Sequence, residues 1–218
     1  MDYKLVIASK AYSSWSQRVW LLMKHFQIPF EEIMLSYEHA DWKQRALEYS
    51  PTGQVPVLVS KDLIVWDSMA IFEFLHEHHP DKKLWPEDER LRALARCICA
   101  EMHSGFVDLR KFCPTNYRRT LKPRANIPDE AKANIARISE IWKGMLGYFG
   151  GPYLCGKEFT VADAMYAPVA NRFYAYALSD DPVVGQYIAT LRALPAWKEW
   201  EQGGAEENWH VPATDNLA

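Results

Sequence analysis

Apolar residues follow two different rhythms along this chain. Up to residue 80, short β-rich runs alternate with helically spaced ones, and beyond it only helical spacing recurs. That contrast predicts a sheet covered by helices, followed by an all-helical unit. Tyr3–Ala8 reads as a buried strand, and Val19, Leu22, Met23 and Phe26 then have the i, i+3, i+4, i+7 spacing of a helix burying one face. Residues 31–35 suit a second strand. Residues 40–49 hold helix formers with weak apolar periodicity, so a short or mobile helix is expected there. Val57-Leu58-Val59 and Leu63-Ile64-Val65-Trp66 flank Ser60-Lys61-Asp62, the spacing of antiparallel strands joined by a three-residue hairpin. Ser68, Ile71, Phe72 and Leu75 repeat the helical stripe, with Asp67 and Ser68 suited to its start and His78-His79-Pro80 to its end. The predicted order is βαβαββα.

Two prolines and mixed charge in residues 80–87 mark a linker at 81–87, which divides the chain into domains at 1–80 and 88–218. In the second, Leu91, Leu94, Ala95, Ile98, Met102, Phe106 and Leu109 trace one long helix. Ile135, Ile138, Trp142, Met145, Leu146 and Phe149 trace another. In Phe159-Thr160-Val161-Ala162-Asp163-Ala164, Thr160 is placed to cap a helix and Asp163 to reach back to the Thr160 N–H, a capping box. Asp163 therefore reads as a folding residue. The fold class is α/β plus all-α, an α-helical bundle following the sheet domain.

Composition narrows the function. The 218 residues carry 25 basic and 28 acidic side chains, a formal charge of −3, interspersed rather than clustered. No footprint for nucleic acid or an anionic membrane emerges. The opening apolar run, residues 5–8, is too short for a secretory core or a membrane span, which points to a cytoplasmic protein. Cys97, Cys99, Cys113 and Cys155 form no Cys-x-x-Cys pair and read as buried free thiols in a reducing compartment, with no metal site.

Four motifs, in order, carry a resemblance over nearly the whole chain. They are Tyr12-Ser13-Ser14-Trp15-Ser16-Gln17-Arg18-Val19, Gly53-Gln54-Val55-Pro56, Trp66-Asp67-Ser68 and the Thr160 to Asp163 box. The first resembles the Ser-Ser-Cys-Ser-x-Arg opening of zeta-class cytosolic glutathione transferases, with Trp15 where that class has cysteine. The second resembles the family's glutathione-backbone loop, the third its acidic-Ser pair and the last its folding motif. The resemblance implies a thioredoxin-like first domain that binds glutathione, with no metal, and a helical second domain that contributes the site for a small electrophile. A cytoplasmic homodimer is implied as well.

By that resemblance Ser13 donates a hydrogen bond to the glutathione thiolate, with Ser14 and Ser16 as alternates, while simple helix capping is the bland role for all three. Val55, before a cis proline, would pair with the tripeptide backbone, and Gln54 would bond it. Asp67 would meet the γ-glutamyl ammonium and Ser68 its carboxylate, although an Asp-Ser pair also caps a helix. Gly53 stands where some relatives have a polar contact, leaving Lys43 and His39 as substitutes. Trp15, His103, Phe106, Arg110, Phe112 and Tyr117 are candidate walls of an electrophile pocket. Tyr12 supplies a phenol that suits donation or packing equally, and the fixed charge of Arg18 suits organising the site or, no less, an ion pair or a solvated position. Arg110 or the Arg118-Arg119 pair suits contact with an acidic electrophile, while a solvated face is the simpler reading. Two functions from different classes remain: a transferase in which glutathione attacks a small electrophile, with peroxide reduction as a variant, and a non-catalytic glutathione-binding or assembly module. A cysteine nucleophile at the first helix, which thiol-transferase chemistry requires, is missing from the motif.

Overall fold

The computed structural model describes residues 2–36 and 41–216. Strand β1 (Tyr3–Ala8) is central because five of its six side chains are buried, and only Lys4 faces water. It pairs in parallel with β2 (Phe30–Leu35), with Tyr3 opposite Phe30 and Ala8 opposite Leu35. On its other edge it runs antiparallel to β3 (Val57–Ser60), which pairs antiparallel with β4 (Leu63–Val65). The sheet order is β2-β1-β3-β4. Ser60 pairs with Leu63, so the hairpin loop is two residues, Lys61 and Asp62, rather than three. Lys61 takes φ 56°, the left-handed conformation that closes so short a turn. Trp66 falls outside the strand.

Helix α1 (Ser14–His25) follows β1 directly, and α2 (Trp42–Leu47) and α3 (Ser68–His78) complete the sheet-bearing part. The expected single stripe on α1 understates its burial. Ser14, Ser16, Gln17, Arg18, Trp20 and Leu21 are buried along with Val19, Leu22 and Met23. The reason is position: α1 packs against α3 on one side and against helices of the second part on the other. Full burial of a side chain such as Trp20 contributes on the order of 1.5–3 kcal/mol or more.

A 3-10 turn at Pro80–Lys82 leads to α4 (Glu89–Ser104), α5 (Val107–Phe112) and α6 (Asp129–Phe149). Then come α7 (Val161–Ala175), α8 (Pro182–Arg192), α9 (Pro195–Glu206) and the single turn α10 (Pro212–Asp215). The long helix expected through Leu109 breaks in two. Gly105 leaves helical geometry at ψ −165° while its N–H still bonds the Glu101 carbonyl at 2.9 Å, and Phe106 follows at φ 56°. The hydrophobic period runs across the break because both helices face the same core.

The capping box forms as read. The Thr160 N–H donates to Asp163 Oδ2 at 2.9 Å, and Thr160 Oγ1 accepts the Ala162 N–H at 3.3 Å. Asp163 is fully buried and also accepts from the Leu154 N–H at 2.9 Å and Tyr187 Oη at 3.1 Å. The α7 helix it opens is the one against which α1 packs. Of the four free cysteines, three are buried, but Cys97 is exposed because it lies on the outer face of α4.

Candidate functional site

The turn from β1 into α1 places the serines. Ser13 is the N-cap of α1, at φ −87° and ψ 91°. Its Oγ accepts the Ser16 N–H at 3.4 Å and donates to Ser16 Oγ at 2.7 Å. Ser16 Oγ in turn accepts the Ala8 N–H at 3.1 Å, so Ser16 ties the helix to the strand from a fully buried position. Ser14 is buried, and its carbonyl accepts from Arg18 Nη1 at 3.0 Å. Of the three, Ser13 is the one that borders the cleft, and its hydroxyl is close to the positive end of the helix.

Opposite stands the segment leading to β3. Gly53 takes φ 60°, the left-handed conformation that favours glycine, and a Cβ there would lie 3.1 Å from Leu47 Cγ. The Gln54 N–H donates to Thr52 Oγ1 at 3.3 Å, and the Val55–Pro56 bond is cis. The Lys43 stem runs beside Gly53 but does not border the cleft, and His39 lies outside the described residues.

The third wall is the start of α3. Asp67 is its N-cap, accepting the Met69 N–H on Oδ1 at 2.9 Å. Its other oxygen, Oδ2, is 2.7 Å from His103 Nε2. Ser68 is 1% exposed, and its Oγ has no hydrogen-bond partner among the described residues.

From the helical part, His103 in the last turn of α4 meets Trp15 edge-on, ring centroids 5.3 Å apart. The Trp15 indole is flanked by the guanidiniums of Arg18 at 4.1 Å and Arg110 at 5.5 Å. Among the described residues Arg18 makes no ion pair, and it is not solvated, which corrects those two sequence expectations. It is fully buried and bonded to two carbonyls, those of Met165 at 2.9 Å and Ser14. Burial, with Arg172 and Arg110 nearby, pushes its pKa well down. The remaining wall candidates have other places. Tyr117 is buried and donates to Gln17 Oε1, and burial raises its pKa. Phe106 joins the core, Phe112 packs against it, and Arg110 donates to the Gly105 carbonyl at 2.6 Å. Tyr12 turns away from the cleft and donates to Asp215 at 2.7 Å.

A cleft of about 330 Å³ results, bordered by Ser13, Gln54, Val55, Asp67 and Ser68 together. Trp15 and His103 close one side, and Trp42, Thr52, Pro56 and Trp66 complete it. The sequence reading passed over Trp42, Thr52 and Trp66. Thr52 sits in a Pro-Thr-Gly turn beside Gln54, a signal that was available, whereas Trp42 and Trp66 look like ordinary packing aromatics. Among the described residues no cluster of His, Cys, Asp and Glu is arranged to hold a metal ion, and no helix is long and apolar enough to cross a membrane.

Two family models match this chain. One, the glutathione S-transferase N-terminal domain, covers residues 12–78, and the other, the C-terminal domain, covers residues 119–203. A Caenorhabditis elegans protein described as a probable maleylacetoacetate isomerase is 31% identical over 188 residues, spanning 84% of this chain and 86% of that protein. The chain belongs to the glutathione S-transferase family. The rat maleylacetoacetate isomerase is 28% identical over 190 residues, 85% of each chain. Among solved glutathione transferases, a Burkholderia homologue with bound glutathione superposes with a TM-score of 0.73 at 21% identity, over 95% of this chain and 100% of that one. Poplar glutathione transferase F1 gives 0.72 at 17% identity with the same coverage. At those identities the likeness establishes the glutathione S-transferase fold, a thioredoxin-like α/β domain followed by a helical domain.

Proposed function

We propose that this protein is a serine-type glutathione transferase whose cleft binds glutathione, holds its sulfur as thiolate beside Ser13, and presents it to a small electrophile. One observation carries the reading: a hydroxyl at the start of α1, the Val55 backbone and the Asp67–Ser68 start of α3 border a single cleft. Ser68 Oγ, buried without a partner among the described residues, suits the γ-glutamyl carboxylate at the α3 N-terminus, and Asp67 suits the ammonium. Val55 and Gln54 suit the peptide backbone in an added-strand geometry. The unit 1–80 would thus bind glutathione, with 81–87 as linker and 88–218 supplying the electrophile side through His103.

The energetics are modest. A free thiol of pKa about 8.5 needs roughly 2 kcal/mol of preferential anion stabilisation to be half ionised at pH 7. A hydrogen bond to the charged sulfur contributes about 1.5–3 kcal/mol and the helix end about 0.3–1 kcal/mol, so no strong base is required. Ser13 Oγ bonds Ser16 in the resting arrangement, and rotating its O–H redirects the proton toward the cleft. In conjugation the sulfur bonds the electrophilic carbon and the leaving group departs with its electron pair. Glutathione-dependent isomerisation, in which sulfur adds to a double bond and is later expelled, is a second reading, favoured by relatives named maleylacetoacetate isomerase.

A cytoplasmic homodimer acting in detoxification completes the proposal. Leu63 and Ile64 on edge strand β4 are 49% and 38% exposed, and Trp66 and Leu94 are also exposed, an apolar surface that pairing would cover. Calorimetric glutathione titration with turnover on aryl halides, hydroperoxides and a cis-olefinic acid, for wild type and Ser13→Ala, tests the reading. Binding with turnover that collapses in Ser13→Ala supports it. Binding without turnover favours a binding module, and no binding overturns the proposal.

A further inference from the structure

The loop that delivers Ser13 is held from the far end of the chain. Glu207, just past α9, accepts three hydrogen bonds from that loop. Ser9 Oγ donates to its Oε2 at 2.5 Å, the Lys10 N–H to Oε1 at 2.5 Å, and the Ala11 N–H to Oε2 at 3.2 Å. The Ser9 carbonyl accepts the Ser13 N–H at 2.8 Å and the Tyr12 N–H at 3.3 Å, so the residue that Glu207 grips is the one that holds the Ser13 backbone.

The grip is itself anchored. Arg118 donates from Nε to the Gly204 carbonyl at 2.9 Å, from Nη1 to the Trp209 carbonyl at 2.6 Å and from Nη2 to the Glu207 carbonyl. Its Nη1 also donates to Tyr12 Oη at 3.0 Å, and Tyr12 Oη donates to Asp215. Asp215 accepts from Asn116 Nδ2 at 2.9 Å. Arg118 is therefore a clasp rather than a solvated cation. Gly204 lets the segment seat, since a Cβ there would lie 3.0 Å from the Ala11 nitrogen.

We propose that Glu207 is a positioning residue for Ser13, fixing the Ser9–Ala11 backbone so that Ser13 Oγ is held at the border of the cleft, within reach of the thiol site once its O–H rotates away from Ser16. Three donors converging on one carboxylate define a loop conformation more strictly than a turn sequence without glycine or proline does. Glu207 does not border the cleft, and its carboxylate acts through this loop. The inference rests on the proposal that the glutathione sulfur lies beside Ser13.

Glu207→Gln keeps the shape but offers an amide group where a carboxylate accepts. The thiol pKa of bound glutathione, read from thiolate ultraviolet absorbance against pH, is expected to rise by about half a unit or more. kcat falls about tenfold, while affinity for S-methylglutathione, which lacks the thiol proton, stays within about twofold. Ser9→Ala, which removes one of the three bonds, shifts the pKa the same way by less and serves if Glu207→Gln does not fold. A purely structural Glu207 would lower the melting temperature and leave the thiol pKa in place, and that outcome overturns the inference. Ser13→Ala separates the two levels. If it fails to raise the thiol pKa, the Ser13 reading falls, and if it raises the pKa while Glu207→Gln and Ser9→Ala do not, only the role of Glu207 falls.

Discussion

The carboxylate of Asp67 joins His103 across the junction of the two parts of the molecule, Oδ2 to Nε2 at 2.7 Å, while its other oxygen caps α3. One acidic side chain thus opens the helix under the proposed γ-glutamyl site and ties that site to α4. His103→Ala removes the outer tether and leaves Asp67 held by the Met69 N–H alone. The KM for glutathione is expected to rise about three- to tenfold, the range for a partly exposed charge-assisted bond. His103→Gln, which retains a donor, restores most of it. Initial-rate kinetics at varied glutathione check this, and an unchanged KM in His103→Ala would remove the tether from the argument.

Asp163 gathers four donors in a buried position, and its loss leaves several of them unpaired. Asp163→Ala is expected to destabilise the protein by about 1–3 kcal/mol. Urea denaturation followed by circular dichroism measures this. Glutathione affinity of the remaining folded fraction should be close to wild type, because no α7 residue borders the cleft and α7 meets it only through α1 and α4.

His25 stacks on Phe159 with ring centroids 4.2 Å apart, and burial lowers its pKa against a smaller opposing pull from Glu158. The unfolded chain therefore takes up a proton at higher pH than the folded one. The stability tied to neutral His25 is present above the unfolded value, near 6.5, and is lost as pH falls through the lower folded value. His79 is shifted in the same direction, again first by burial. His25→Phe keeps the stack without the charge and should flatten the fall in melting temperature between about pH 7 and pH 5.

Gly105 ends α4 where no other residue fits without movement, since a Cβ would stand 2.7 Å from the Glu101 carbonyl oxygen. Gly105→Ala is expected to cost about 1–3 kcal/mol through backbone displacement. Because His103 lies two residues earlier, the same change should raise the KM for glutathione. Equilibrium unfolding and kinetics on one preparation test both.

The strands, α1, α3 and the capping box were legible because each rests on local signals: a period of two or 3.6, a cap, a turn. The α4–α5 break was hidden by a hydrophobic stripe continuous across Gly105, and the hairpin loop was one residue shorter than its polar run. Candidate site residues carried by motifs border one cleft. Pairings between distant residues left no pattern to read: Asp67 with His103, Arg18 with the Met165 carbonyl, Glu207 with Ser9. Arg118 looked like a surface cation because a sequence shows charge and not the three carbonyls around it.

The clasp at Glu207 also bears on how this molecule is made. During synthesis the sheet-bearing part has its strands and first three helices once residue 78 has emerged. Its β1–α1 loop nevertheless lacks its fastening until the ribosome has added well over a hundred further residues. A nascent chain therefore holds every strand and the first three helices in its sequence long before it can hold a finished site, and the site comes into being with the completion of the helical part.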